Sequence, residues 1–208
     1  MVVRLPALLK PAAHGVMAIP LVFLLAGWVE LFGDPRSLVL TAEPVAYTHN
    51  ALGLAALRAL LASLACTPIR IVFGWGRVMT LRRLLGLWAA AYAALHLGFY
   101  LWAELDFSIA ALVAETAKRP FILAGMVAFL CLAPLAATST SSAIRRLGAK
   151  RWQALHRLAY LAAGAGTLHF VLRVKGFQWE PFIYLLILGV LLAVRVAPAG
   201  SLRLKPSG

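Results

Sequence analysis

Six blocks of apolar residues, at about 12–33, 50–67, 84–104, 120–138, 152–172 and 178–197, alternate with short connectors rich in Arg, Lys, Gly and Pro. A helix rises 1.5 Å per residue, so about 20 apolar residues cross the hydrocarbon of a bilayer, and each block approaches that length. Proline and glycine punctuate the joins, as at Gly33-Asp34-Pro35, Thr67-Pro68 and Arg119-Pro120. Trp28, Trp75, Trp102, Trp152 and Trp179 stand near block ends, where amphipathic rings favour the membrane–water interface. The pattern predicts an all-α integral membrane protein, a six-helix bundle forming one domain over residues 1–208, with no internal repeat and no low-complexity segment.

Composition sharpens this picture. The chain is 62% hydrophobic and only 13% charged, against roughly 25% charged residues in a soluble domain. The net charge of +13 could suggest a nucleic-acid partner, but the cations sit in short connectors, where they orient a membrane protein instead. On one side lie Arg4, Lys10, Arg70, Arg77, Arg82, Arg83, Arg145, Arg146, Lys150, Arg151, Arg195, Arg203 and Lys205; on the other, only Arg36, Lys118, Arg119, Arg173 and Lys175. All seven acids fall on the second side. The asymmetry puts both termini in the cytoplasm and agrees with an even number of spans. The first block is long for a signal-peptide core and lacks a small-x-small cleavage site, so it reads as a retained span. Cys66 and Cys131 lie inside apolar blocks and read as small buried hydrophobes.

Within this apolar background the histidines stand out. His14, His96, His156 and His169 lie in or at the edge of spans, and His49 just before the second. An imidazole in lipid must find an internal partner, and a hydrogen bond to a neighbouring helix is the ordinary one. Depth adds a second possibility. His156 lies roughly 6 Å and His169 roughly 26 Å past the inner end of the fifth block, and His96 roughly 18 Å from the start of the third. His96 and His169 are therefore the better match for an outer level. Neutral imidazole is a strong ligand for haem iron, and a helix bundle can sandwich the apolar macrocycle. The thirteen positions from His156 to His169 correspond to roughly 220° of rotation, which calls for a distorted helix or differently angled haem planes. A proton relay would interleave acids at depth, and a zinc site would gather ligands at one level; neither fits as well. His14, close to the inner end of its span, reads as structural, and His49, at the outer edge, is the weaker ligand candidate.

The residues Arg82-Arg83-Leu84-Leu85-Gly86-Leu87-Trp88, Tyr92, Leu95-His96 and Tyr100 resemble the haem-binding membrane subunit family of protein-methionine-sulfoxide reductase systems (MsrQ, once YedZ). That family belongs to the ferric-reductase-like transmembrane superfamily. The likeness continues in order through Thr67-Pro68, Lys118-Arg119-Pro120, Thr138-Ser139-Thr140, Leu147-Gly148, Trp152, Leu155-His156, Tyr160 and His169-Phe170. It implies a b-type cytochrome of the bacterial inner membrane, holding one or two haem b groups, with His96, His156 and His169 as axial ligands. It also implies that electrons pass to a periplasmic molybdopterin-dependent methionine sulfoxide reductase catalytic subunit, so that the chain is an electron-transfer subunit of an oxidoreductase. The superfamily's larger members carry two histidines on each of two helices and append a flavin and nicotinamide domain. Here the third span has one histidine and the chain ends soon after the sixth. An inner haem would lack a defined second ligand, and reducing equivalents would come from a separate donor.

Arg82 and Arg83 at the inner mouth of the third span are ordinary inner-side anchors on one reading. On the other they grip an anion, because guanidinium binds phosphate through paired hydrogen bonds. The phosphate of FMN would suit a relay from a soluble flavin reductase, and a membrane quinol is the rival donor. Two alternatives stand beside the resemblance: another ferric-reductase-like cytochrome reducing metal ions or a different acceptor, and a non-redox transporter or assembly protein with structural histidines.

Overall fold

The computed structural model describes residues 5–174 and 176–196. Arg4, Lys175, Arg203 and Lys205 of the charge pattern, and Ala197 at the end of the sixth block, lie outside the described residues. The described chain is helical: α1 (Leu5–Gly33), α2 (Pro44–Phe73), α3 (Arg82–Leu105), α4 (Ile109–Lys118), α5 (Pro120–Ala137), α6 (Ser141–Leu147), α7 (Ala149–Leu155), α8 (Leu158–Arg173) and α9 (Trp179–Val196). A 3-10 turn over Gly76–Thr80 joins α2 to α3. Five helices, α1, α2, α3, α5 and α9, are long and apolar enough to cross a membrane.

The fifth block differs from its expected continuous helix over 152–172. Around His156 and Arg157 the bonding tightens to three-residue steps, Arg157 N to Ala154 O at 3.2 Å and Tyr160 N to Arg157 O at 3.0 Å. This splits the block into α7 and a sixteen-residue α8. The block is thus a distorted helix, one of the two alternatives that the histidine spacing left open. The second block also differs, because α2 runs through Pro68 to Phe73. Proline has no N–H for the carbonyl four residues earlier, which here is that of Leu64. Arg195 of α9 donates its Nη2 to that carbonyl instead, so the helix continues. Gly74 ends it with a left-handed φ of 68°, a conformation glycine adopts without strain.

Two helix pairs form the centre: α2 packs along α3, and α5 along α8. Small residues permit the second pairing, since Ala162 and Ala163 are wholly buried. The core joins Leu57, Leu60 and Leu64 of α2 to Ala89, Cys131, Leu132 and Leu188. Both cysteines are buried and free, as expected. Helices α1 and α9 flank this core and keep broad apolar faces outward, as lipid-facing helices do. Arg58 lies inside α2 and meets α9, with its Nε donating to the Tyr184 hydroxyl at 2.6 Å and its Nη2 3.7 Å from Glu180. Toward the C-terminal end of α1, Trp28 Nε1 donates to Thr48 Oγ1 at 2.9 Å, and Thr48 is buried. Trp28→Phe orphans that hydroxyl and is expected to cost about 1 kcal/mol. A thermal melt in detergent checks this, and an unchanged melting temperature would count against the bond's contribution.

Candidate functional site

His96 on α3 and His169 on α8 sit on the same structural device, built once in each central pair. His96 Nδ1 lies 2.9 Å from the His49 carbonyl of α2, and His169 Nδ1 lies 2.6 Å from the Phe121 carbonyl of α5. Each carbonyl stands four positions before a glycine, Gly53 and Gly125 respectively, so one helical turn presents both to the ring. A Cβ on Gly53 would come within 2.9 Å of His96 Cε1, and one on Gly125 within 2.9 Å of His169 Nδ1. Only the missing side chain lets each imidazole lie against its neighbour's backbone. Carbonyls accept, so each Nδ1 carries the proton and each Nε2 presents a lone pair. A backbone bond that fixes tautomer and ring direction in this way is typical behind a metal-binding histidine.

The two rings line one cavity of about 420 Å³, with centroids 6.0 Å apart and planes crossed at 81°. Two metal–nitrogen bonds of about 2 Å, with about 1 Å from each nitrogen to its ring centre, require a spacing of about 6 Å. Among the described residues no three His, Cys, Asp or Glu side chains gather as a metal-ion site. A facing pair alone suits the axial positions of a porphyrin iron, whose other four ligands belong to the macrocycle. The remaining lining is largely apolar, with Leu57, Leu60, Ala93, Leu97, Phe129 and Phe170 among it. The residues present fit the haem that the resemblance implied.

Among the polar residues of this cavity outside the expected ligand set are His49, Tyr100 and Arg173. His49, expected at the outer edge, lines the cavity with its ring 4.1 Å from that of His96 and only 8° from parallel. Its Nε2 is buried without a hydrogen-bond partner. Tyr100 stacks on His49 at 5.7 Å. Arg173, counted above as a connector charge, lines the cavity and donates Nη1 to Asn50 Oδ1 at 2.7 Å. The signal for His49 and Tyr100 was available in principle. Tyr100 lies one turn from a marked position, four residues after His96, and His49 is itself an imidazole beside an apolar block.

The other expected site residues lie elsewhere. His156 caps α7, with Trp152 stacked on its ring at 3.9 Å and its Nε2 3.3 Å from Thr138 Oγ1. It does not line the cavity that holds His96 and His169. Arg83 lines a separate groove of about 480 Å³ at the start of α3, with Lys10, His14, Thr80 and Trp88. Arg82 does not line it; its carbonyl accepts from Ser63 Oγ at 2.8 Å. His14 keeps the structural bond expected of it, accepting from Trp88 Nε1 at 3.0 Å.

Fold and site thus define a helical membrane protein that brings two imidazoles together in one apolar cavity between its central helix pairs. The family model described as ferric reductase like transmembrane component matches residues 50–167. A Rhodospirillum rubrum protein named protein-methionine-sulfoxide reductase heme-binding subunit MsrQ is 49% identical over 160 residues, covering 77% of each chain. Proteins of the same name from Polaromonas naphthalenivorans and Deinococcus radiodurans are similar as well. The first is 43% identical over 91% of this chain and 86% of its own; the second is 44% identical over 83% and 82%. The chain belongs to the MsrQ family of ferric-reductase-like membrane proteins.

Proposed function

We propose that this chain is the b-type cytochrome subunit of a methionine-sulfoxide repair system, carrying electrons across the bacterial inner membrane to a periplasmic molybdenum-dependent reductase. On this reading it is a single six-span domain with both termini cytoplasmic, α8 completing the set begun by the five longer helices. It is the electron-transfer subunit, and methionine sulfoxide is reduced on its partner. The observation that carries the reading is the facing pair His96 and His169, together with relatives whose name describes a heme-binding subunit.

His96 and His169 would hold the iron of one haem b from opposite faces, and Gly53 and Gly125 would let both rings reach their positions. Bound haem supplies a one-electron carrier whose potential depends on its axial ligands and its burial. The chain contributes the apolar walls that keep water from the macrocycle and the two backbone carbonyls that orient the ligands. His156 has one polar neighbour and no facing imidazole, so it is assigned to bracing the α7–α8 break through Thr138 and Trp152. An absorption spectrum of the purified protein tests the reading. A b-type α band on dithionite reduction, bleached by the oxidised molybdenum partner, is expected; colourless protein expressed with ample haem supply would remove it.

Electrons enter on the inner side in this account. The groove beside Arg83 and Lys10 offers two cations to a flavin phosphate, with Arg82 adjacent on the same turn. Loss of charge-assisted bonds worth about 1.5–3 kcal/mol should weaken FMN binding about tenfold or more in Arg82→Gln/Arg83→Gln protein. Flavin fluorescence released on denaturation measures this, and unchanged flavin content would eliminate the FMN site. The groove's apolar floor of Leu84, Leu87 and Ala91 favours a second reading of the donor, a membrane quinol. Reduction of the haem by quinol in flavin-free protein would select it.

A further inference from the structure

The cavity that holds His96 and His169 is also lined by one cation that makes no salt bridge among the described residues. Arg173 lines it, and the one hydrogen bond of its guanidinium among the described residues goes to the neutral amide of Asn50. Glu180 lines the same cavity but is engaged by Arg58 at 3.7 Å. The other ion pair among the described residues, Arg119 with Glu115, involves neither group. Arg173 is half-buried, and a guanidinium at one end of a largely apolar cavity is better satisfied by an anionic group on whatever the site binds. Beside Asn50 stands His49, whose buried Nε2 likewise has no partner. The polar members of the lining therefore collect where the N-terminal part of α2 meets the C-terminal end of α8, while the rest of the cavity is apolar.

We propose that Arg173, held in place by Asn50 and flanked by His49, is the carboxylate clamp of this cavity and binds the propionates of the haem. This inference rests on the haem reading above and adds an orientation to it: the carboxylate edge faces Arg173 and the apolar edge faces Leu60 and Leu132. The ligand chemistry is a carboxylate on an apolar ring, which Arg recognises through paired N–H bonds and Lys does not reproduce in geometry. His49 acts through position. It stacks on His96 and lends that ring its backbone carbonyl, so it couples the clamp to an axial imidazole.

The test compares haem with its dimethyl ester, which keeps the ring and iron but has no carboxylates. Each is titrated into detergent-solubilised protein depleted of haem, and binding is followed by the Soret band. Wild-type protein is expected to prefer haem over the ester by at least tenfold. Arg173→Gln should abolish that preference while leaving ester affinity within about twofold of wild type, which also shows that the variant is folded. Arg173→Lys should restore part of the preference, and the Arg173→Gln haem, having lost a nearby positive charge, should titrate at a more negative midpoint potential. An undiminished preference for haem in Arg173→Gln overturns the clamp while leaving the axial-ligand reading intact. Wild-type protein that binds neither form with a b-type spectrum overturns both.

Discussion

His96→Ala and His169→Ala proteins are expected to purify with less than about a tenth of the wild-type haem, whereas His156→Ala keeps its pigment. Each of the first two changes removes an axial imidazole and opens space that only water or a weak ligand can fill. Second-sphere changes at metal sites alone cost about 10- to 100-fold in affinity, so loss of a ligand sets a larger expected effect. His156 meets Thr138 Oγ1 at 3.3 Å and stacks on Trp152, and its loss disturbs the α7–α8 break without touching the cavity. Pyridine haemochrome content per helical protein, measured by circular dichroism on the same sample, checks all three. Pigment lost in His156→Ala as fully as in His96→Ala would mean that the inner histidine is a ligand after all.

Gly53→Ala and Gly125→Ala should disable the site without altering any group that touches iron. A methyl at either position lies 2.9 Å from an atom of the histidine ring. The ring cannot retreat without losing its bond to the His49 or Phe121 carbonyl. Overpacking of this kind costs about 1–3 kcal/mol, so haem retention should fall about 5- to 100-fold or the midpoint potential should move as the ring tilts. Gly164→Ala is the matched control on α8, because a Cβ there would meet nothing within 4 Å and the residue does not line the cavity. Equal haem content and potential in all three variants would show that the close backbone approach does not position the ligands.

How far the sequence foretold this site depends on which physical signal each residue leaves. Spans were legible because burial in lipid demands long apolar blocks, and α3, α5 and α9 begin and end within two residues of their expected bounds. His96 and His169 were legible as a pair at one level because an imidazole is conspicuous in such a block. Their apparent mismatch in depth shrinks once the fifth block is seen to start its regular helix at Leu158. The extension of α2 back to Pro44 was not legible. Tyr47, Thr48, His49 and Asn50 dilute the hydropathy there, although Thr48 accepts from Trp28 and Asn50 from Arg173. His49 was undervalued for that reason, and Arg173 because a cation at a block end looks the same whether it faces solvent or a cavity. The repeat of carbonyl and glycine under each imidazole leaves no sequence period, since the two copies share only a spacing of four residues on different helices. Amphipathic α4, which packs on α3 and α5, was hidden in a connector too short to suggest a span.

Electron paramagnetic resonance of the ferric protein at low temperature addresses the central assignment most directly. Two imidazoles on one iron with planes crossed at 81° leave two of its d orbitals nearly equal in energy, which makes the low-spin spectrum strongly anisotropic. A single low-spin species with a large maximal g value is what His96 and His169 predict, and it should disappear when either is replaced. A high-spin spectrum, or a low-spin signal that survives the double replacement His96→Ala/His169→Ala, would place the iron on other residues and contradict the account.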